Sequence, residues 1–282
     1  MTGSQLSIGR LQILAIMRID LAKTFFAKRG LWIYLLALAP VLPMIGHWLF
    51  ANGRTDQFGD DVQAFAGIFQ FFYLRIAIFF GCVGIFMNLF RGEMLDKSLH
   101  YYMLAPVRRE VLVVGKFLSG LVAAIVIFCG SVLIQWVSIF IHHGTELFGS
   151  YMFRGPGTSH LISYLIAAAL ACIGYGSVFL WAGLRYRNPL IPAAIILVWE
   201  SLNGILPALL KKVSIIYWLK SLCPISIPTP PGAKGNVWNL LVFDIDPAPV
   251  AVAAINLVLL AAFVIVAAAI RARTLEISYA AD

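Results

Sequence analysis

Six apolar runs, each about as long as a bilayer is thick in helical form, leave this chain little choice of solvent. They cover roughly residues 31–50, 64–90, 111–141, 161–184, 189–210 and 249–270. A membrane-spanning helix needs about 20 mostly apolar residues. A β-barrel is excluded, because its strands run to roughly 10 residues and alternate in polarity. Composition agrees: 61% of the residues are hydrophobic and 12% charged, against roughly 45–50% and about 25% in a soluble domain. Too few polar residues remain to clothe a soluble core. The expected fold is an all-α integral membrane protein of about six transmembrane helices. It forms a single domain, with a surface helix in 1–30, a membrane part in 31–270 and a tail in 271–282. The third run exceeds one crossing, so it tilts or projects. The first run follows thirty residues holding five basic ones, which reads as a retained helix rather than a cleaved signal.

A net charge of +8 in a soluble protein would point to nucleic acid. Here the charges sit between apolar runs, so they report orientation instead, and no nucleic-acid partner is expected. With alternating crossings, one side collects fourteen Lys and Arg residues, in the segments 1–30, 91–116, 185–187 and 271–273, and the other collects six. Each side holds six acids, so the whole surplus falls on the first side, while Arg75 and Glu200 lie within runs and cancel. The first side is read as cytoplasmic, with both termini there.

The N-terminal stretch repeats Ile8, Leu11, Leu14, Ala15, Leu21 and Phe25 at helical spacing among basic residues. That predicts an amphipathic helix on the cytoplasmic leaflet, in contact with lipid. The outer segment 211–248 holds Pro224, Pro228, Pro230, Pro231 and Pro247, with Pro249 at its boundary. Its KVSIIYWLKSL stretch predicts a short helix at, or dipping into, the outer interface. No internal repeat is evident, which counts against a transporter of duplicated halves.

The segment RGEMLDKSLHYYMLAPVRREVLVVGKFLSG separates the second and third runs. Residues 93–103 read as a short helix, with Glu93 and Lys97, and Asp96 and His100, paired one turn apart on a polar side. Leu95, Leu99 and Tyr102 make its apolar side, and Pro106 breaks it before Arg108 and Arg109. A short amphipathic helix held beside a membrane is fit to dock a cytosolic partner.

This segment resembles the intracellular loop of type 2 ABC exporter permeases. Glu93, Lys97, Ser98, Leu99, Leu104, Pro106, Val107, Arg108, Gly115 and Lys116 carry the likeness. The familiar Glu-x-x-x-Gly-Thr form is altered, since Ser98 and Leu99 stand where Gly-Thr would. The surface helix, six spans and re-entrant outer segment before the last span extend the resemblance over most of the chain. It implies that the loop is a coupling helix seated on an ATP-binding cassette subunit. The contact residues would be Glu93, Asp96, Lys97, Leu99, His100, Pro106, Arg108 and Arg109. It further implies a second permease chain, a multi-pass location in a bacterial inner membrane, outward transport, and ATP and Mg bound by the partner subunit rather than by this chain.

The fifth run contains LVWESLNGILPALLKK. Insertion scales put an acid or Arg at a helix centre at about 2.5–3.5 kcal/mol, so Glu200 needs partners. Asn203 is near it in sequence, and Arg75 in the second run is the oppositely charged candidate. Arg75, Glu200 and Asn203 are expected to face the protein interior, as an ion pair or as polar points on a transport path. His142, His143, His160 and Glu146 share an outer region but lack zinc-site spacing. Gly81, Gly84, Gly174 and Gly176 are read as sites of close helix packing. Cys82, Cys129 and Cys172 fall in apolar runs and no CxxC pair exists, so the cysteines are read as packing residues.

No Walker-type phosphate loop, H-E-x-x-H or G-x-S-x-G motif is present, so the chain is not expected to hydrolyse ATP itself. Two other classes fit the same residues. One is a membrane enzyme acting on a lipid-linked substrate, using His100, Asp96 and Arg108. The other is a non-transporting assembly factor.

Overall fold

The computed structural model describes residues 3–26, 30–50, 58–104, 107–140, 143–186, 188, 190–225 and 247–274. Pro106, His142 and residues 226–246 of the proline-rich outer segment lie outside them. Every regular element among the described residues is helical: α1 (Gly3–Phe26), α2 (Leu31–Leu38), α3 (Val41–Phe50), α4 (Phe58–Ile68), a π-helical stretch (Phe69–Ala77), α5 (Ile78–Leu95), α6 (Leu99–Leu104), α7 (Arg109–Phe140), α8 (Thr145–Phe153), α9 (Gly157–Arg185), α10 (Leu190–Ser201), a 3₁₀ turn (Leu202–Ile205), α11 (Ala208–Lys211), α12 (Ile215–Ser221) and α13 (Val250–Arg273). Four rods are long and apolar enough to cross a membrane: 58–95, α7, α9 and α13. The chain is therefore an all-α, multi-pass membrane protein.

Helix length alone gives four crossings where the apolar runs gave six. The first run is divided at Ala39 and Pro40 into α2 and α3, since proline offers no N–H to the helical ladder. The fifth stops after the 12 residues of α10, or roughly 18 Å, well short of a bilayer core of roughly 30 Å. The chain then turns through Asn203, Gly204 and Pro207 into the 4-residue α11.

The contacts fix the helix directions. The rod 58–95 runs antiparallel to α7: Lys116 meets Glu93 at one end and Phe65 packs edge-on against Trp136 at the other. It runs parallel to α9, as the ordered contacts Phe65–Tyr164, Phe79–Tyr175 and Met87–Gly183 show. Arg109 at the start of α7 reaches the carbonyls of Ala272 (3.2 Å) and Arg273 (2.9 Å), so α13 ends where α7 begins. That end also holds α1 and is called the α1 end below.

Glycines set the closeness of the bundle. A Cβ on Gly183 would lie 3.0 Å from the backbone of Met87, and one on Gly176 would enter the ring of Phe86. Gly81 faces Phe128 and Gly84 faces Trp32 in the same way, as expected of close-packing sites, while Gly174 meets Ile215 at ordinary contact distance. The four cysteines are free; Cys82 and Cys172 are buried, Cys129 and Cys223 half-buried. At the far end Phe58, Phe65, Trp136, Phe140, Tyr151 and Tyr164 form one aromatic cluster. On α1, Ile16 and Asp20 are buried against α7, and Leu11 and Leu14 are exposed. The inward stripe of α1 thus centres on an acid, and the leucines of the predicted apolar face are left for lipid.

Candidate functional site at the α1 end

The rod 58–95 ends with a Schellman motif, in which helix-terminal carbonyls are capped by a left-handed turn. Ser98 N–H donates to the Glu93 carbonyl (2.9 Å) and Lys97 N–H to that of Met94 (3.3 Å). Lys97 adopts φ 54°, the left-handed conformation that such a turn requires and that normally selects glycine. The predicted helix over 93–103 is therefore corrected. Glu93 and Leu95 belong to α5, Asp96 and Lys97 form the turn, and a separate helix α6 begins at Leu99. Glu93–Lys97 and Asp96–His100 do not share a helix face. Leu99 is buried, while Leu95 and Leu104 are exposed.

The motif turns Glu93 inward, where it is 7% exposed. Lys116 of α7 is fully buried beside it. Its Nζ lies 2.8 Å from Glu93 Oε2 and 3.3 Å from Asp20 Oδ2 of α1. It also sits 4.8 Å from the Tyr102 ring centre and 5.5 Å from that of Phe90, at cation–π range. Lys23, itself largely exposed, donates to Glu93 Oε1 at 3.2 Å. Ser119 Oγ donates to the Lys116 carbonyl (2.8 Å) and lies 3.5 Å from Asp20 Oδ2. One buried ammonium thus joins α1, the end of α5 and α7, with Tyr102 of α6 stacked on it.

Such a cluster gains little net stability over an apolar replacement, because desolvating the ions cancels most of their attraction. What it supplies is mutual dependence: any one charge left alone is costly. Burial pushes the Asp20 carboxyl above its ordinary 3.8, and Lys116 opposes the rise. Burial, reinforced by the Glu93 and Asp20 carboxylates, pushes the Tyr102 phenol up as well.

A cavity of about 200 Å³ adjoins the cluster, between α1, α2 and α5. Asp20, Lys23, Glu93 and Asp96 line it. Arg108 is exposed at the start of α7, and Arg109 fastens the end of α13, aided by Glu110, which accepts from Arg273 Nε at 2.6 Å. His100 lies on α6.

The intramembrane candidates lie elsewhere and separately. Glu200 is buried at the end of α10 and accepts from Ile215 N (2.9 Å), Ile216 N (2.8 Å), Ser214 Oγ (2.8 Å) and Tyr175 OH (3.4 Å). Its carboxylate caps the N-terminus of α12, where the backbone amides lack helical partners. Arg75 lies in the π-helical stretch, half-buried, with its Nε unpartnered and its guanidinium 5.8 Å from the Phe71 ring. The described ion pairs do not include Arg75 with Glu200. Asn203 is buried and donates to the Lys211 carbonyl at 3.3 Å. His143 pairs with Asp61 (2.7 Å) and His160 with Tyr151 (2.9 Å), so among the described residues these histidines do not form a metal-binding cluster.

Sequence reasoning missed Asp20 as a site residue and counted Lys116 among the loop cations. A signal was present for both. Lys116 interrupts VLVVGKFLSGLV, and Asp20 is the one acid among the basic residues of the N-terminal helix. No protein-family model matches the chain, and no characterised protein matches it.

Proposed function

We propose that the chain is the membrane-spanning permease subunit of an ATP-driven exporter. It would form the substrate path and couple to separate ATP-binding cassette subunits that bind ATP and Mg. The observation that carries this reading is the wiring of the short helix α6. Tyr102 stacks on the buried Lys116, which binds Glu93 and Asp20. A push on α6 therefore acts at once on α1, α5 and α7, three helices of the bundle. The exposed Leu95 and Leu104 give a soluble partner apolar anchors on this side.

Connectivity supports six crossings. Asp20 on α1 lies at one end, while Phe58 stacks with Phe140 and Tyr151 at the other, which supports a crossing between them. Helices α2 and α3 together span 20 residues, roughly 30 Å, enough for a broken crossing. Likewise α9 ends at the α1 end and α13 starts at the far end, which supports a further crossing between them. Here α10 supplies the near half. Helix α12, whose Ile215 contacts Gly174 midway along α9, supplies the far half. With the α1 end cytoplasmic, both termini lie inside and the positive charge excess faces the cytoplasm of a bacterial inner membrane. A second permease chain completes the path.

Affinity purification in mild detergent tests the reading. An ATP-binding cassette protein should co-purify in fixed ratio, and Leu104→Glu should release it while leaving the permease monodisperse. ATP hydrolysis by the clean permease alone would overturn the assignment, as would a monodisperse preparation that binds no such subunit.

A further inference from the structure

Helices α10 and α12 meet α9 at one level. Glu200, near the end of α10, accepts from Tyr175 OH of α9. Ile215, at the start of α12, packs on Gly174 of α9. Ser214 Oγ and the amides of Ile215 and Ile216 donate to the same Glu200 carboxylate and close the two ends on each other. Residues 202–213 therefore leave α9 and return to it at the same depth. That depth is well inside the bilayer. Gly174 lies near the middle of the apolar stretch 161–184 of α9, a helix long enough to cross, and so roughly 15–20 Å from either end of that stretch. The excursion is built of a 3₁₀ turn, extended backbone at Leu206 and Pro207, and the 4-residue α11. A helix this short leaves its first amides without helical partners. The Lys211 carbonyl accepts from Asn203 Nδ2 and the Lys212 carbonyl from Trp218 Nε1. Pro207, Leu209, Lys212 and Val213 are exposed. Hydrocarbon does not solvate irregular backbone. The Lys212 ammonium, two residues from Ser214, lies too deep to snorkel to the interface. Lipid is therefore the wrong solvent for this surface.

We propose that residues 202–213 line a water-filled recess, open to small hydrophilic solutes, at mid-depth in the bilayer. Water hydrates the lysine and supplies donors and acceptors to the irregular backbone. The exposed Leu209 and Val213 are no obstacle, since single apolar side chains are common on wet surfaces. Helix α13 supplies the contrast. Its Leu257 packs on the same Gly174, and the neighbouring Val258 and Leu259 are exposed on an unbroken apolar helix, a surface that lipid covers at no cost. The recess rests on α9 crossing the bilayer and not on the transport reading. In a permease it would serve as the foothold of a polar solute halfway across.

The test places single cysteines in the full chain, with the four native cysteines replaced by alanine, in lipid nanodiscs. The probe is methanethiosulfonate ethylsulfonate, a membrane-impermeant anion. It reacts with the thiolate, and a thiol ionises only where water reaches it. Lys212→Cys and Val213→Cys should be modified roughly a hundredfold faster than Leu259→Cys, which sits near the same depth on α13. Hydrogen exchange on the unaltered chain in the same nanodiscs decides the matter if the variants fold poorly. The amides of residues 208–210 should then exchange within minutes, while those of 254–261 on α13 stay protected for hours. Modification of Lys212→Cys and Val213→Cys as slow as that of Leu259→Cys sinks the proposal, as does α13-like protection of 208–210 in the unaltered chain. An oxidant-induced disulfide between two Leu209→Cys chains would then identify a second copy as what covers the excursion.

Discussion

Replacing Glu200 by glutamine probes how a buried acid is held inside the helix bundle. The carboxylate serves four donors at 2.8–3.4 Å, two of them the first amides of α12. A carboxamide has one acceptor oxygen. In its better orientation that oxygen keeps the Ser214, Ile216 and Tyr175 bonds and the NH₂ group confronts Ile215 N. The orphaned amide costs about 1–3 kcal/mol, and the remaining bonds lose the roughly twofold advantage of a charged acceptor. The sum is about 3–5 kcal/mol. By the size scaling of soluble domains, at roughly 2–4 °C per kcal/mol, this lowers Tm by about 6–20 °C in detergent. Arg75→Met should behave differently, because Arg75 makes no ion pair with Glu200 among the described residues. It forfeits a cation–π contact of about 0.5–1 kcal/mol. A double-mutant cycle of Glu200→Gln with Arg75→Met should give coupling below about 0.5 kcal/mol. A Glu200→Gln chain as stable as the parent, or a coupling of about 2 kcal/mol, would refute the capping account and restore an ion pair.

Lys116→Met strands the Glu93 and Asp20 carboxylates and should cost about 3–5 kcal/mol, whereas replacing all three charges by apolar residues should recover most of that in denaturant titration. Lys97→Gly should stabilise by about 1 kcal/mol by removing a side chain from the left-handed turn, read as a rise in Tm. Gly183→Ala, which drives a Cβ to 3.0 Å from the Met87 backbone, should cost about 1–3 kcal/mol, while Gly130→Ala, with nothing within 4 Å, should gain a few tenths up to about 1 kcal/mol. Because burial raises the Asp20 carboxyl, its contribution to stability is complete below pH 3.8 and declines as pH rises through its folded value. Parent Tm should therefore fall relative to Asp20→Asn as pH rises from about 4 through that value.

The long crossings were legible because lipid imposes one rule on every residue of a span. Apolar length alone located α7, α9 and α13 within a few residues, and the rod 58–95 with its ends extended. The broken helices were less legible. Pro40 sits inside the first run, and hydropathy averages over it, although a proline withdraws a backbone donor at that point. The short helix before α7 was found and misplaced. Its start was read from polar pairs at helical spacing, but a Schellman turn at Lys97 intervenes. Lysine at the left-handed position hides that turn, which glycine would have announced.

Glu93 and Glu200 illustrate why the site itself was only half readable. Both are buried acids, and each is answered in a different way. The donors to Glu200 from Ser214, Ile215 and Ile216 lie within 16 residues of it, on the turn that its own helix leads into. A nearby break with Asn203, Gly204 and Pro207 gives warning of such a cap. Glu93 is answered by Lys116, a helix away, and through it by Asp20, 96 residues from Lys116. No local pattern connects them. Counting charges by loop even assigned Lys116 to orientation, a role that needs water around it. The informative fact was its apolar neighbourhood on α7, which predicts burial and so demands an acid. The two sites also differ in what they can do. A cap made of backbone amides is fixed with the fold around it, whereas a junction of side chains from α1, α5 and α7 can be strained or parted when one helix moves. The coupling proposed for α6 therefore belongs at Lys116 and not at Glu200.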